Sequence, residues 1–250
     1  MVVNHNYFME SSFLIFPALL IVSILYSSVG HGGASGYLAV MSIFAISTVY
    51  FRSSALILNL FVAGIAFVNF HSGYKIRWRL FLPVILPAIL MAFLGAKIHI
   101  DPGIYKIMLG VLISMALLRL LYRPSREYEV KPPPGILLSV AIGAILGLLS
   151  GMIGIGGGIL LSPILILMKW ANVKETAVYS AMFILLNSMS GLMGLGLQNI
   201  FLPPHFQFWI IVVVAGGMIG SLTAMKFFPV RYFKLSLVLV LLFACFKLFS

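Results

Sequence analysis

The sequence is poor in charged residues, and poorest in acids. Only 8% of its 250 residues are charged, whereas 62% are hydrophobic. A soluble domain of this length needs far more charge to cover its surface, so the composition excludes a soluble globular protein and is typical of a chain that lies in lipid. The 16 Lys and Arg lie between the apolar runs, where basic residues set membrane orientation. The net charge of +11 therefore does not indicate a nucleic-acid partner.

The few acids are placed away from the apolar runs. All of them lie outside these runs or at their ends: Glu10, Asp101, Glu127, Glu129 and Glu175. A cation carrier of the usual kind needs a buried carboxylate to bind its ion or to relay protons. The sequence offers none, which argues against that class.

Metal ligands and nucleophiles are equally scarce. Cys245 is the single cysteine, which excludes an intramolecular disulfide and a multi-cysteine metal site. No His, Asp or Glu cluster has metal-ligand spacing, and no nucleophile stands beside a base. We therefore predict no metal, no cofactor and no catalytic residue, and a membrane-embedded enzyme is the weaker alternative.

What the sequence does have is ten apolar runs, five on each side of a polar, proline-rich stretch at residues 123–134. The runs span residues 13–29, 37–50, 55–70, 80–98 and 104–122, then 135–150, 159–170, 177–197, 206–225 and 232–249. The first run of each half leads into a glycine-rich segment, and each third run contains an asparagine, Asn59 or Asn187. We infer an internal duplication: a membrane repeat at 1–122, a cytoplasmic linker at 123–134 and a second repeat at 135–250.

The second run of each half is too short to cross a bilayer comfortably. These runs have 14 and 12 residues, or about 21 and 18 Å as helix, whereas a bilayer core is about 30 Å thick. We predict that the first two runs of each half form a hairpin that enters the membrane, turns at the glycines and leaves on the same side. The alternatives are one long helix or two ordinary short spans.

The distribution of basic residues favours the hairpins. If each hairpin returns to its own side, the 16 Lys and Arg divide 12 to 4, and if each pair crosses only once they divide 8 to 8. Because membrane proteins concentrate Lys and Arg in the cytoplasm, the first division is preferred. Three crossings follow each hairpin, so the second repeat enters from the opposite face. The predicted fold is an all-α polytopic membrane protein of two inverted repeats with external termini.

Inverted repeats with broken helices are a transporter architecture. Glycine tips let the chain reverse sharply, and we expect the following helices to begin near Ser35 and Ile159. The first N–H groups of each helix lack intrahelical partners and lie at its positive end, so two facing tips would form an anion site. The side chains predicted to contribute hydroxyls or an imidazole are those of Ser27, Ser28, His31, Ser35, Ser150 and Ser162.

The glycines of the second half fall into two groups. Gly143, Gly147 and Gly151 are four residues apart, which predicts a helix-packing stripe on which Gly143→Ala should be mild. The group at 154–158 is too closely spaced for one helix face, so it predicts a break. In that group Gly157→Val should block the approach of an anion to the tip amides.

Three further polar residues are ambiguous from the sequence alone. The amides of Asn59 and Asn187 either join helices or face a cavity. Because each half carries one at a matched position, we give the two roles equal weight. His31 either packs through a hydrogen bond, or binds substrate and takes a proton. Lys97, close to a helix end, is expected to reach for the membrane interface.

The glycine-rich segments resemble those of the TauE/SafE family of sulfite exporters and sulfonate permeases. The resemblance rests on Ser28-Val29-Gly30-His31-Gly32-Gly33 and on residues 151–158, which read GMIGIGGG, followed by Pro163 and Asn187. The first segment departs from the pattern at Ala34, which stands in the place of a third glycine. The resemblance spans nearly the whole chain and implies a bacterial inner-membrane protein that transports sulfite, sulfoacetate or a related small anion.

We therefore predict a secondary transporter of a small anion that works by alternating access, with an anion channel on the same scaffold as the alternative. The expected partners are this anionic substrate and the lipid bilayer, and a homodimer is left open. The predicted substrate-binding residues are Ser28, Gly30, His31, Gly32, Gly33, Ser35, Asn59, Gly154, Gly156, Gly157, Gly158 and Asn187.

Overall fold

The fold was analysed in a computed structural model, which describes residues 5–71, 76–121, 129–132 and 135–224. Within these ranges the regular structure is helical. The helices are α1 (His5–Ser27), α2 (Ala34–Ile43), α3 (Phe51–His71), α4 (Trp78–Lys97), α5 (Pro102–Leu121), α6 (Ile136–Ile153), α7 (Gly158–Leu167), α8 (Val173–Leu195) and α9 (Phe206–Ala224). Short 3-10 helices at Thr48–Tyr50 and Leu197–Asn199 join them.

Nine of the ten predicted apolar runs coincide with these helices, and the tenth, 232–249, lies outside the described residues. Five helical segments of the described part are long and apolar enough to cross a membrane: Thr48–His71, Trp78–Lys97, Ile136–Ile153, Lys174–Leu195 and Phe206–Thr223. The prediction of an all-helical, multi-pass membrane protein is confirmed to this extent. The two short arms are shorter than predicted, since α2 and α7 have 10 residues each.

Both short arms end in the same way. After α2 the backbone takes a left-handed conformation at Ala45 (φ 54°), and the Ile46 N–H donates to Met41 O at 2.9 Å. After α7 it does so at Lys169 (φ 58°), and the Trp170 N–H donates to Leu165 O at 2.9 Å. This closure satisfies carbonyls that the helix end leaves free. It also explains why the predicted run 37–50 divides into α2 and a 3-10 helix.

The glycine stripe of α6 packs directly on the backbone of α4. A β-carbon at Gly143, Gly147 or Gly151 would overlap the carbonyl oxygen of Val84, Ala88 or Ala92, respectively. The two helices therefore run parallel and in close contact, as the spacing predicts. However, the prediction that Gly143→Ala is mild is wrong, because the added methyl group would meet main-chain atoms that cannot move aside.

The helices α1 and α9 pack in the same close way. A β-carbon at Gly220 of α9 would overlap Ile24 O of α1, and Ser27 Oγ donates to Gly217 O at 2.7 Å. Thus α1 lies on α9 while α6 lies on α4. The first helix of each half packs against the fourth predicted run of the other half.

At the centre, α3 and α8 run antiparallel. Leu56 faces Gly191, the Asn59 amide donates to Ser188, and Gly64 faces Leu185. The residue numbers along α3 therefore increase as those of the facing residues on α8 decrease. These helices are the third runs of the two halves.

The second hairpin returns to the end of the molecule from which it starts. Lys131, in the segment before α6, donates its N–H to Lys169 O, just after α7, at 2.8 Å. The pair α6–α7 is therefore a hairpin rather than one long helix.

Candidate functional site between the glycine tips

Left-handed backbone conformations mark both glycine tips. The φ angles are 75° at Gly30 and 97° at Gly33 in the first tip, and 85°, 70° and 75° at Gly154, Gly156 and Gly157 in the second. Glycine is the residue that takes these angles without a steric penalty. The predicted break is confirmed, and α2 and α7 begin at Ala34 and Gly158, each one residue before the predicted position.

The two tips meet at the side chain of Asn59. A β-carbon at Gly32 would lie 2.9 Å from Asn59 Cγ and 2.9 Å from Ile184 Cγ2. One at Gly156 would lie 2.7 Å from Asn59 Nδ2 and 2.8 Å from the same Ile184 methyl group. A residue from each tip thus contacts the same amide of α3 and the same residue of α8. The structure brings Gly32, Gly156 and Asn59 together at the centre of the molecule.

Asn59 caps the helix that follows the first tip. Its Oδ1 accepts the Ala34 N–H, the first of α2, at 3.1 Å, and its Nδ2 donates to Ser188 Oγ at 3.4 Å. The side chain is fully buried. A neutral carbonyl oxygen therefore occupies an acceptor position at the positive end of α2, where an anionic oxygen would also be stabilised.

Asn187 is not equivalent to Asn59. Its Nδ2 donates to Phe183 O of the same helix at 3.0 Å, and its buried Oδ1 has no hydrogen-bond partner among the described residues. The structure does not bring this amide into hydrogen-bond contact with either tip.

The residues of α8 that contact the tips include Ser180, Ile184 and Ser188, and Phe183 packs against Gly157 beside them. A β-carbon at Gly158 would lie 3.0 Å from Ser180 O and close to the Ile184 side chain, and one at Gly156 would lie 2.9 Å from Ser188 Oγ. The sequence analysis missed these residues, although the four-residue spacing of the first three defines one helix face.

His31 joins the first tip to the short helix of the second half. Its Nδ1 lies 2.9 Å from Val29 O, and its Nε2 lies 2.8 Å from Ser162 Oγ. Ser162 Oγ also lies 2.8 Å from Gly158 O and 2.6 Å from Ser180 Oγ. Val29 O can only accept a hydrogen bond, so Nδ1 carries a proton. If the ring is neutral, Nε2 accepts a hydrogen bond from the Ser162 hydroxyl. If the ring is protonated, Nε2 donates to Ser162 Oγ, and the Ser162 hydroxyl donates to Gly158 O.

Two buried hydroxyls, one beside each tip, have no partner among the described residues. Tyr37 Oη would lie 2.7 Å from a β-carbon at Gly33, and Ser150 lies beside Gly157, whose β-carbon would be 3.2 Å from Ser150 Cβ. Buried polar atoms are nearly always hydrogen-bonded, so an unpaired one requires an explanation such as an absent ligand. Ser150 is a predicted tip hydroxyl, whereas Tyr37 was missed by the sequence analysis.

The remaining predicted hydroxyls have partners within the protein, Ser27 on α9 and the other two on α1. Ser28 Oγ donates to Leu25 O at 2.7 Å, and Ser35 Oγ lies 2.7 Å from the Tyr26 hydroxyl. Gly30 and Gly154 have packing contacts of their own. A β-carbon at Gly30 would be 2.6 Å from Ala177 Cβ, and one at Gly154 would be 3.0 Å from Arg52 Cα.

The two ends of the molecule differ. At one end, where α3 and α5 begin and α4 and α8 end, a cavity of about 620 Å³ is lined partly by Arg52, which borders the second tip through Gly154. At the other end the Arg77 guanidinium lies 3.5 Å from Glu175 and donates to Trp170 O. The Arg77 N–H also donates to the Tyr179 hydroxyl at 3.0 Å.

Comparisons with known proteins agree with this architecture. Residues 15–248 match the family described as sulfite exporter TauE/SafE. A probable membrane transporter protein of Sinorhizobium fredii, y4hK, is 28% identical over 235 residues, which cover 92% of this chain and 95% of that protein. No solved structure gives a significant match. Because the family match spans nearly the whole chain, this protein belongs to the TauE/SafE family of membrane transporters.

Proposed function

We propose that the protein is a secondary transporter that binds a small oxyanion, either a sulfur oxyanion or an organosulfonate, between the two glycine tips. The observation that carries the proposal is the meeting of both tips at Asn59, with an unpaired buried hydroxyl beside each tip. The Tyr37 and Ser150 hydroxyls can each donate one hydrogen bond to an anionic oxygen. The N–H groups at the start of α2 and α7 supply further donors and a positive potential.

The assignment to a sulfur-containing anion rests on the family description, which names sulfite. The chemistry of the tips supports the anionic part of this assignment, since the groups directed there are hydroxyls, amides and helix N-termini.

The packing of the helices supports inverted repeats. The central helices α3 and α8 are antiparallel, and α1 pairs with α9 as α6 pairs with α4. A pseudo-two-fold axis in the membrane plane would produce both relations. We propose that the glycine-tipped hairpins are re-entrant and that the two halves rock against each other around the tips.

The difference between the two ends fits one state of such a cycle. With the cavity lined by Arg52 open to one side, the contacts of Arg77 with Glu175 and Trp170 close the other. In the orientation predicted from the Lys and Arg, the cavity lies outside and the Arg77 contacts lie in the cytoplasm. Transport then requires the Arg77 contacts to open as the cavity closes.

Removal of the two unpaired hydroxyls tests the proposed site. Because neither hydroxyl has a hydrogen-bond partner in the part of the chain that the structure describes, Tyr37→Phe and Ser150→Ala should leave the melting temperature unchanged or raise it slightly. A hydrogen bond to a charged group contributes about 1.5–3 kcal/mol, so the affinity for sulfite or sulfoacetate should fall about tenfold or more. Binding to the purified protein and saturable uptake into proteoliposomes would be measured together.

Ser139→Ala is the matched control. It removes a buried hydroxyl from the same helix as Ser150, about 16 Å away along the axis. Its affinity should equal that of the wild type. If Tyr37→Phe and Ser150→Ala both keep full affinity in stable protein, the anion does not bind at the tips.

A further inference from the structure

The cavity at the outer end is polar and basic. The residues that line it include Arg52, Lys97, His99, Gln198 and Asn199. None of the described residues around it is an Asp or a Glu. Nearby Asp101 instead accepts the N–H of Gly103 at 2.8 Å at the start of α5.

Neither of the two strong cations of this cavity forms an ion pair with a carboxylate of the described residues. Arg52 donates to the main-chain oxygens of Ala96 and Gly151 at 2.7 and 3.0 Å, and its buried Nε has no partner there. Lys97 is exposed, with its Nζ 4.2 Å from the centre of the Phe93 ring.

The position of these cations is unusual for a membrane protein. Only four Lys or Arg lie on the side that the charge distribution assigns to the outside. Of the three whose positions are described, Arg52 and Lys97 line the same cavity and Lys106 does not. Because membrane proteins concentrate Lys and Arg in the cytoplasm, that rule does not explain why Arg52 and Lys97 lie together on this side.

We propose that this cavity is a second anion-binding site, a vestibule that collects small, water-borne oxyanions before they reach the tips. Its cations concentrate anions by long-range attraction, and Gln198 and His99 supply hydrogen-bond donors. Arg52 connects the vestibule to the tip site, since its main chain contacts Gly154 and its guanidinium binds Gly151 O. This inference deepens the proposed function and rests on it for the identity of the anion.

Charge-selective labelling tests the vestibule without any transport. Ser47 is exposed and lines the cavity, so Ser47→Cys in a Cys245→Ala background places a thiol there with a one-atom change. We would compare its reaction rates with a negatively and a positively charged methanethiosulfonate. The ratio of the two rates should fall severalfold when Lys97→Gln is added, because a positive charge near the thiol attracts the anionic reagent and repels the cationic one.

Lys106→Gln is the matched control, because Lys106 is an exposed lysine at the same end that does not line the cavity. It should leave the ratio unchanged. In the Ser47→Cys protein that retains Lys97, sulfoacetate should slow labelling more than gluconate does at the same ionic strength. Sulfite is unsuitable as the competitor because it consumes thiol reagents. The effect of Lys97 should weaken in high salt, where the Debye length is about 3 Å at 1 M.

The outcomes separate this inference from the proposed function. A rate ratio that does not respond to Lys97→Gln, together with no protection by sulfoacetate, overturns the vestibule even if the protein transports sulfite. Selective labelling and protection in a protein that shows no uptake would support the vestibule and contradict the transport proposal. In an active protein, Lys97→Gln should raise KM severalfold and leave kcat unchanged, whereas Lys106→Gln changes neither.

Discussion

Crowding of the tip junction should weaken anion binding, whereas crowding of a helix contact away from the tips should not. Gly32 has no left-handed φ angle, so Gly32→Ala adds crowding alone: its methyl group would lie 2.9 Å from Asn59 Cγ and 2.9 Å from Ile184 Cγ2. Such overpacking destabilises by about 1–3 kcal/mol. Displacement of Asn59 from the Ala34 N–H adds about 0.5–1.5 kcal/mol. We expect a lower melting temperature and at least a tenfold loss of affinity.

Gly143→Ala supplies the matched case away from the tips. Its methyl group would overlap the carbonyl oxygen of Val84 in the contact between α6 and α4, which also destabilises by about 1–3 kcal/mol. This variant should be destabilised to a similar extent and bind the anion normally. Both proteins would be purified, checked for monodispersity and titrated with sulfite. Equal affinities in folded Gly32→Ala and Gly143→Ala would refute the tip-junction site.

Three other predictions follow from the contacts of single residues. Asn59→Leu should impair uptake more than Asn187→Leu at equal expression, because only Asn59 contacts the tips; equal uptake by the two variants would contradict this. His31→Gln keeps a hydrogen-bonding group and should retain binding while flattening the pH profile of uptake between pH 6 and 8, and an unchanged profile would remove His31 from coupling. Gly147→Ala should lower the melting temperature through overpacking against α4, by about 1–3 kcal/mol, whereas Gly135→Ala, with nothing within 4 Å of its β-carbon, should not.

The positions of the helices and of the tips could be predicted because they depend on local signals. Long apolar runs separated by polar segments specify membrane helices, and clustered glycines specify a break, whatever the tertiary contacts are. Asn59 was singled out because a lone amide in an apolar helix needs a partner, and of the two roles left open the structure shows the joining of helices, since Asn59 bonds to α2 and α8.

The partners of each helix face could not be predicted, because they depend on how α3 and α8 are rotated against each other. Asn187 matches Asn59 in its run, yet the α8 face at the tips carries Ser180 and Ser188 instead. The consequence of a methyl group at Gly143 was misjudged for the same reason. Helix spacing indicates that a stripe packs, but not that the Val84 main chain is the surface it packs on.

The cavity lined by Arg52 could not be predicted from the sequence, because its residues come from separate segments. Arg52, Lys97 and Gln198 lie at the ends of three different helical segments. Only the fold shows that the two basic residues, assigned to the same side by the charge distribution, share one cavity.

Counterflow in proteoliposomes is the most direct test of transport through a site between the tips. Vesicles with the reconstituted protein would be loaded with millimolar unlabelled sulfite and diluted into a trace of radiolabelled sulfite, with sulfoacetate and sulfate in parallel. A carrier with alternating access predicts transient accumulation of label above the external concentration, reduced in Gly32→Ala and normal in Gly143→Ala. Equilibration without overshoot, at a rate that does not saturate with sulfite, would contradict the account and identify a channel.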